Sequence, residues 1–258
     1  MVECGIGINA EEHLDKLPVK LLNEFDFVEF PGVWLDSVSA CRKLASLRKW
    51  GCELQIRHLV PPALVQIVPQ ENWKVKTEFD RNFRERCQQA VELDVREVEI
   101  DFDLEQAVFD PIFRKALQKL MLSCCGALQE FKLNMRLNCR LPRPPGGSKI
   151  SELLDFRREL GLPGTGFNLD FFPYEPGAFE LLEEERNALR FIRNYWRIHF
   201  EPEHGNLLNA TVWKKILQQT ESEFPAADRQ ITLVPGSAMP DEELLTYLIK
   251  LLREAGSL

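Results

Sequence analysis

Between Arg96 and Asp103 the chain alternates strictly: Glu97, Glu99, Asp101 and Asp103 fall on one face of an extended segment, and Val98, Ile100 and Phe102 on the other. Successive side chains of a strand point to opposite sides, so one strand is expected here, acidic on one face and apolar on the other. Leu133 to Arg140 repeats the pattern, with Asn134, Arg136, Asn138 and Arg140 opposing Leu133, Met135, Leu137 and Cys139. In an antiparallel sheet the polar faces would look at water. A helical segment follows each strand instead, so the strands are expected to be parallel, with helices over the apolar face. The polar faces must then enclose something, which points to the lumen of a closed barrel.

The rest of the chain supplies the other units. Strands are expected at Val2–Ile8, Asp26–Phe30, Cys52–His58, Gly166–Phe171, Tyr195–Glu201 and Gln230–Val234. Helices are expected at about 10–23, 35–50, 73–93, 110–131, 151–160, 176–188 and 207–221, with a last one starting at Pro240-Asp241-Glu242-Glu243. Gly51 stands where a helix C-terminus favours glycine, and Pro111 follows Asp110 as a first-turn proline does. Pro61-Pro62 opens an irregular connection through Pro69, and Pro142 to Gly147 reads as a loop. These are eight strand–helix units at intervals of roughly 24 to 43 residues, the spacing of a (β/α)8 barrel with some lengthened loops. An open doubly wound sheet would need continuously apolar strands, and these alternate. The expectation is one α/β domain over residues 1–258, a (β/α)8 TIM barrel with a polar, charged lumen.

The chain carries 40 acidic against 32 basic residues, for a net charge of −8. That argues against nucleic acid or an anionic membrane as principal partner and leaves a small ligand. Cys4, Cys41, Cys52, Cys87, Cys124, Cys125 and Cys139 are odd in number and lack Cys-x-x-Cys spacing. Free thiols in a reducing compartment are therefore expected. No secretory leader pattern or membrane-length apolar run is present, so a cytoplasmic protein is expected. Neither a Gly-x-Gly-x-x-Gly nor a Walker lysine loop occurs, so no nucleotide cofactor is expected.

Function in such barrels gathers at the C-terminal ends of the strands. That selects Glu29, His58, Asp101, Asp103, Arg140, Asp170, His199 and Glu201, with His58, Asp101, Asp103 and Arg140 as candidate substrate-binding groups. Glu97, Glu99, Arg136 and Arg197 lie deeper and are expected to form a buried salt-bridge network. Arg136 and Arg140 are expected to pair with Glu99 and Asp101 in preference to binding an anion. For Asp170, His199 and Glu201, an active pair or metal site and a neutralised ion-pair lattice stand as equal alternatives.

Phe25-Asp26-Phe27-Val28-Glu29, the helix end Trp50-Gly51, the run Gln55-Ile56-Arg57-His58-Leu59-Val60-Pro61 and the helix end Ala90-Val91-Glu92-Leu93-Asp94 resemble the xylose-isomerase-like TIM barrels. That superfamily holds sugar isomerases, sugar and sugar-phosphate epimerases and endonuclease IV. The resemblance implies a divalent metal (Mn, Zn, Co or Mg) held by Glu, Asp, His and Glu at the ends of strands five to eight. Asp170 and His199 match the Asp and the strand-seven His. Arg140 and the run Val234-Pro235-Gly236-Ser237 occupy the two remaining positions, and Pro173 stands where a further histidine is usual. The ligand set is thus incomplete.

The implied activity is a sugar or sugar-phosphate isomerase or epimerase acting on a small polyhydroxylated substrate, with Glu29 and Glu201 as a two-base pair beside a carbonyl. The alternative is a non-catalytic barrel that has lost its metal and binds a ligand or protein partner. Assembly of identical copies is compatible with either. Metal-dependent cleavage at abasic DNA is disfavoured by four histidines in an acidic chain.

Overall fold

The computed structural model describes residues 2–8, 18–102, 104–141, 152, 155, 158–159, 166–180, 183, 186–187, 194–202, 208–223, 230–236 and 241–255. Eight parallel strands close on themselves in sequence order: β1 (Glu3–Gly7), β2 (Phe27–Pro31), β3 (Glu53–Arg57), β4 (Glu97–Ile100), β5 (Asn134–Leu141), β6 (Gly166–Phe171), β7 (Asn194–Phe200) and β8 (Gln230–Pro235). β8 returns to β1, with Glu3 opposite Gln230 and Ile6 opposite Leu233. Among the described residues the continuous helices are α1 (Val19–Leu22), α2 (Val38–Lys49), α3 (Pro62–Ile67), α4 (Trp73–Glu92), α5 (Leu104–Phe109), α6 (Pro111–Phe131), α7 (Ala210–Glu223) and α8 (Glu242–Glu254). No helix among them is long and apolar enough to cross a membrane.

Alternation decides which side chains go where. Cys4, Ile6, Val28, Phe30, Leu54, Ile56, Val98, Ile100, Met135, Leu137, Leu169, Trp196, Ile198, Ile231 and Leu233 are buried in one apolar core outside the strands. The helices reach that core with stripes at helical spacing, Phe79, Phe83, Cys87 and Ala90 on α4 and Phe113, Leu117, Met121, Cys124 and Leu128 on α6. The Asn72 side chain caps α4 by accepting from the Lys74 and Val75 amides, and Asp110 caps α6 through Ile112 and Phe113. The opposite strand faces supply the lumen. There Gly5 leaves space for the Phe27 ring, which a β-carbon at position 5 would overlap.

Two expectations about local structure are corrected. The connection after Pro61 is not irregular: Pro62 sits in the first turn of α3, where its missing N–H costs nothing, and a 3₁₀ turn at Val68–Gln70 follows. The acidic strand is shorter than its alternation, since β4 ends at Ile100 and α5 takes over from Leu104. Asp103, the loop 142–147, most of the helices expected at 10–23 and 151–160, His13 and His204 lie outside the described residues.

Candidate functional site

The lumen is stacked in layers. In the deeper one, Arg136 of β5 donates from Nε to Glu97 Oε2 at 3.2 Å, from Nη1 to Gln55 Oε1 at 2.8 Å and from Nη2 to Gln230 Oε1 at 2.7 Å. Its guanidinium carbon lies 3.4 Å from the centre of the Tyr195 ring. Gln230 donates in turn to Glu3, and Asn134 donates to Glu97. A guanidinium satisfied on its edges and face makes a closed floor. This corrects the expected Arg136–Glu99 pairing. Glu99 is the register neighbour of Arg136, yet the long arginine reaches to the layer of Glu97 and leaves Glu99 to the layer above.

In that upper layer Arg197 of β7 occupies the middle of the lumen, its side chain 2% exposed. It grips Glu29 of β2 with two parallel bonds, Nε to Oε1 at 2.8 Å and Nη2 to Oε2 at 2.9 Å. Nη2 also donates to Glu99 Oε2 at 2.7 Å, and Nη1 to Asp170 Oδ1 at 3.0 Å. The Asn168 amide donates to Glu99 as well. Burial pushes the Arg197 pKa down, but Glu29, Glu99 and Asp170 overcome it and hold the group well above its ordinary value. Burial likewise raises the Glu29 and Asp170 carboxyls, and arginine overrides it. Glu29 is held below its usual range by Arg197, Arg57 and Arg136; Asp170 is held well below by Arg197 and by its bond to His199. The expected buried network of Glu97, Glu99, Arg136 and Arg197 is therefore present, split between two levels.

Above it the site opens. His199 Nε2 lies 2.7 Å from Asp170 Oδ1. An ionised carboxylate only accepts, so Nε2 carries a proton, and in the neutral tautomer with this bond Nδ1 is the basic nitrogen. The ring stacks on Phe172, with centroids 4.4 Å apart and planes 10° from parallel. Both border a cleft of about 300 Å³ over the ends of β6, β7 and β8, together with Tyr174, Glu175, Phe200, Glu201 and Gly236. On the opposite side, His58 follows β3 with φ of +49°, and its Nδ1 stands 3.2 Å from Glu99 Oε1 without the alignment of a hydrogen bond. Burial pushes the His58 pKa down against the pull of Glu99, which leaves the ring neutral at physiological pH. A left-handed backbone at a residue with a bulky side chain is strained, and such strain clusters at functional sites.

The candidate residues thus separate. His199 and Glu201 line the cleft, Glu201 exposed at its edge, and Asp170 reaches it only through its bond to His199. Glu29 is near by but 2% exposed, with both oxygens on Arg197. Asp101 is half-buried just past β4; Asp103 and the Arg140 side chain lie outside the described residues. Sequence reasoning missed Phe172 and Tyr174, whose only signal was their place directly after β6. A larger groove of about 460 Å³ between α4 and α6 contains Lys76, Lys115 and Lys119 but no lumen residue.

The residues present do not fit a tightly held divalent ion. Asp170 Oδ1 already accepts from Arg197 and His199, and the His199 nitrogen nearest to it is committed to that bond. The register partner of Asp170 is Arg140 and that of His199 is Val234, so neither neighbouring strand brings a carboxylate at that level. Among the described residues, no group of three or more His, Cys, Asp or Glu side chains is arranged to hold a metal.

No protein-family model matches the sequence, and no curated protein matches it. Solved structures do match its fold. A D-tagatose 3-epimerase-like protein aligns over 98% of this chain and 96% of its own, with a TM-score of 0.69 at 15% identity. D-psicose 3-epimerase from Clostridium cellulolyticum H10, solved with D-tagatose, aligns over 99% and 91%, with a TM-score of 0.64 at 12% identity. A family 2 AP endonuclease from Brucella melitensis aligns over 96% and 97%, with a TM-score of 0.65 at 13% identity. At these identities the likeness is one of fold, and the fold that this chain shares with them is the closed (β/α)8 TIM barrel.

Proposed function

We propose that the cleft over β6–β8 binds a small polyhydroxylated carbonyl compound, a sugar or sugar phosphate, and that His199 moves the proton beside its carbonyl. The observation that carries this reading is His199, half-buried in the lining of an aromatic-sided cleft and bonded from behind to Asp170. At about 300 Å³ the cleft is at the small end of ligand sites, which run from roughly 300 to 1,000 Å³. Phe172 and Tyr174 offer apolar surface to sugar C–H groups, while Glu175 and Glu201 accept from hydroxyls. The structural neighbours that are sugar 3-epimerases support the substrate class.

The proton-transfer role passes from Glu29 to His199, because the oxygens of Glu29 are held by Arg197. His199 Nδ1 takes the proton from the carbon beside the carbonyl. The C–H electron pair becomes a carbon–carbon π bond, and the carbonyl π pair moves to oxygen. Delivery of a proton to the other face of the same carbon by Glu201 in its protonated form restores the carbonyl and gives the epimer; delivery to the former carbonyl carbon, with the adjacent hydroxyl proton passing to the enolate oxygen, gives the isomer. Neither outcome changes the oxidation state overall. Asp170 keeps the ring in the tautomer this needs and stabilises its protonated form.

The non-catalytic alternative is supported by the closed ion lattice beneath the cleft. Incubating the protein with ketopentoses, ketohexoses and their phosphates in D2O separates the two. Deuterium entering beside the carbonyl, abolished by His199→Asn, supports the catalytic reading. Ligand-induced melting shifts without exchange support a binding barrel. Neither exchange nor shift across the panel ends both for this substrate class.

A further inference from the structure

We infer that the Arg197 guanidinium is the resident cation of this barrel and stands in place of a divalent metal at the C-terminal end of its lumen. Three carboxylates from three strands, Glu29 of β2, Glu99 of β4 and Asp170 of β6, converge on it through four bonds of 2.7 to 3.0 Å. Glu29, Glu99 and Arg197 are each no more than 2% exposed. Convergent carboxylates around one buried positive centre are what a hard cation requires. Here that centre is covalently part of the chain, two residues before the histidine it helps to orient.

The charge count agrees. Glu29, Glu99 and Asp170 bring three negative charges, and Arg197 with the neighbouring Arg57 brings two positive ones. The layer keeps one net negative charge, and a divalent ion would carry it past neutrality to one net positive charge. That ion would also sit beside a guanidinium already bonded to Asp170 Oδ1. Arg197 is therefore a positioning residue. Acting through Asp170, it holds His199 Nε2, and no exchangeable ion is required for that. This inference is independent of what the cleft binds.

Metal content and melting temperature test it, with no activity needed. The purified wild-type protein is expected to hold substoichiometric metal by mass spectrometry. It should melt at the same temperature after EDTA and with millimolar Mn2+, Co2+, Zn2+ or Mg2+. Arg197→Met leaves the three carboxylates without their cation; that variant is expected to melt lower and to recover part of the loss on adding Mn2+ or Mg2+. Arg197→Lys is expected to melt between the two and to ignore the metals. A stoichiometric divalent ion in the wild-type protein that raises its melting temperature, and that Asp170→Asn removes, overturns the inference. So does an Arg197→Met variant that folds, melts as the wild type and does not respond to metal. If Arg197→Met does not fold, the wild-type measurements decide alone.

Discussion

Arg197 and Glu29 meet as a two-bond pair across the barrel lumen, at 2.8 and 2.9 Å, although 168 residues separate them in the chain. Neither group reaches water, and both Glu29 oxygens bond to Arg197, so removing the arginine strands the carboxylate. Arg197→Met is expected to destabilise the fold by about 3–5 kcal/mol, the usual cost of an uncompensated buried charge, and Glu29→Ala by less, because Glu99 and Asp170 still hold the guanidinium. In the double variant with Arg197→Met the penalties should fall well short of additive, since contacting charges are coupled. Urea unfolding of the two single variants and the double measures this; additive losses would show that the pair does not hold the lumen.

His199 should exist, when neutral, as the Nε2–H tautomer, because Asp170 Oδ1 can only accept at 2.7 Å. Long-range proton–nitrogen NMR on labelled protein reads the two ring nitrogens separately. Asp170→Asn is expected to bring in the Nδ1–H form. A wild-type ring already protonated on Nδ1 would remove the basis for its role as a base.

Acid should weaken the fold in two stages. The folded-state pKa of His58 lies below its ordinary 6.5, so the unfolded chain takes up this proton first as pH falls. Stability is then lost as pH drops below about 6.5. Glu29 and Asp170 have lowered folded-state values. Their contribution is present above the unfolded carboxyl range and disappears as pH falls through that range and beyond, a later stage. His58→Asn is expected to flatten the first stage only, and asparagine tolerates the left-handed backbone better. Unfolding free energies measured from about pH 7 to pH 5 check this; an unchanged slope in the variant would assign the first stage elsewhere.

Gly5 and Phe27 share one space in the lumen wall. Gly5→Ala is expected to cost about 1–3 kcal/mol through overlap with the Phe27 ring. Adding Phe27→Leu should return part of it, which a melting series of the single and double variants would reveal.

The thiols of Cys4 and Cys87 are fully buried, and burial pushes both up to about 12. With Cys124, raised for the same reason, they are expected to resist a disulfide reagent in the native protein at about pH 8 and to react once urea unfolds it. Peptide mapping of the labelled sites distinguishes this from general reactivity.

Much of this was legible from the residues. The acids of Glu97 to Asp103 and the polar row of Asn134 to Arg140 required a polar face that apolar neighbours forbade from facing the core, and the closed barrel followed. Asp170 and His199, each on an alternating strand near its end, were found the same way and do meet. What the chain could not show was partnership. Arg136 is level with Glu99 in register yet bonds to Glu97, because side-chain length carries the guanidinium to another layer.

The sequence by itself determined the strands, their two faces, the parallel closure and the charge enclosed by it, since each depends on local periodicity and on burying one face. Only the tertiary structure decided that Arg197 would collect Glu29, Glu99 and Asp170, and that Phe172 would lie flat on His199. Closing the barrel brings β7 across from β2 and β4, and distances across a lumen depend on closure and side-chain reach, which spacing along the chain does not encode.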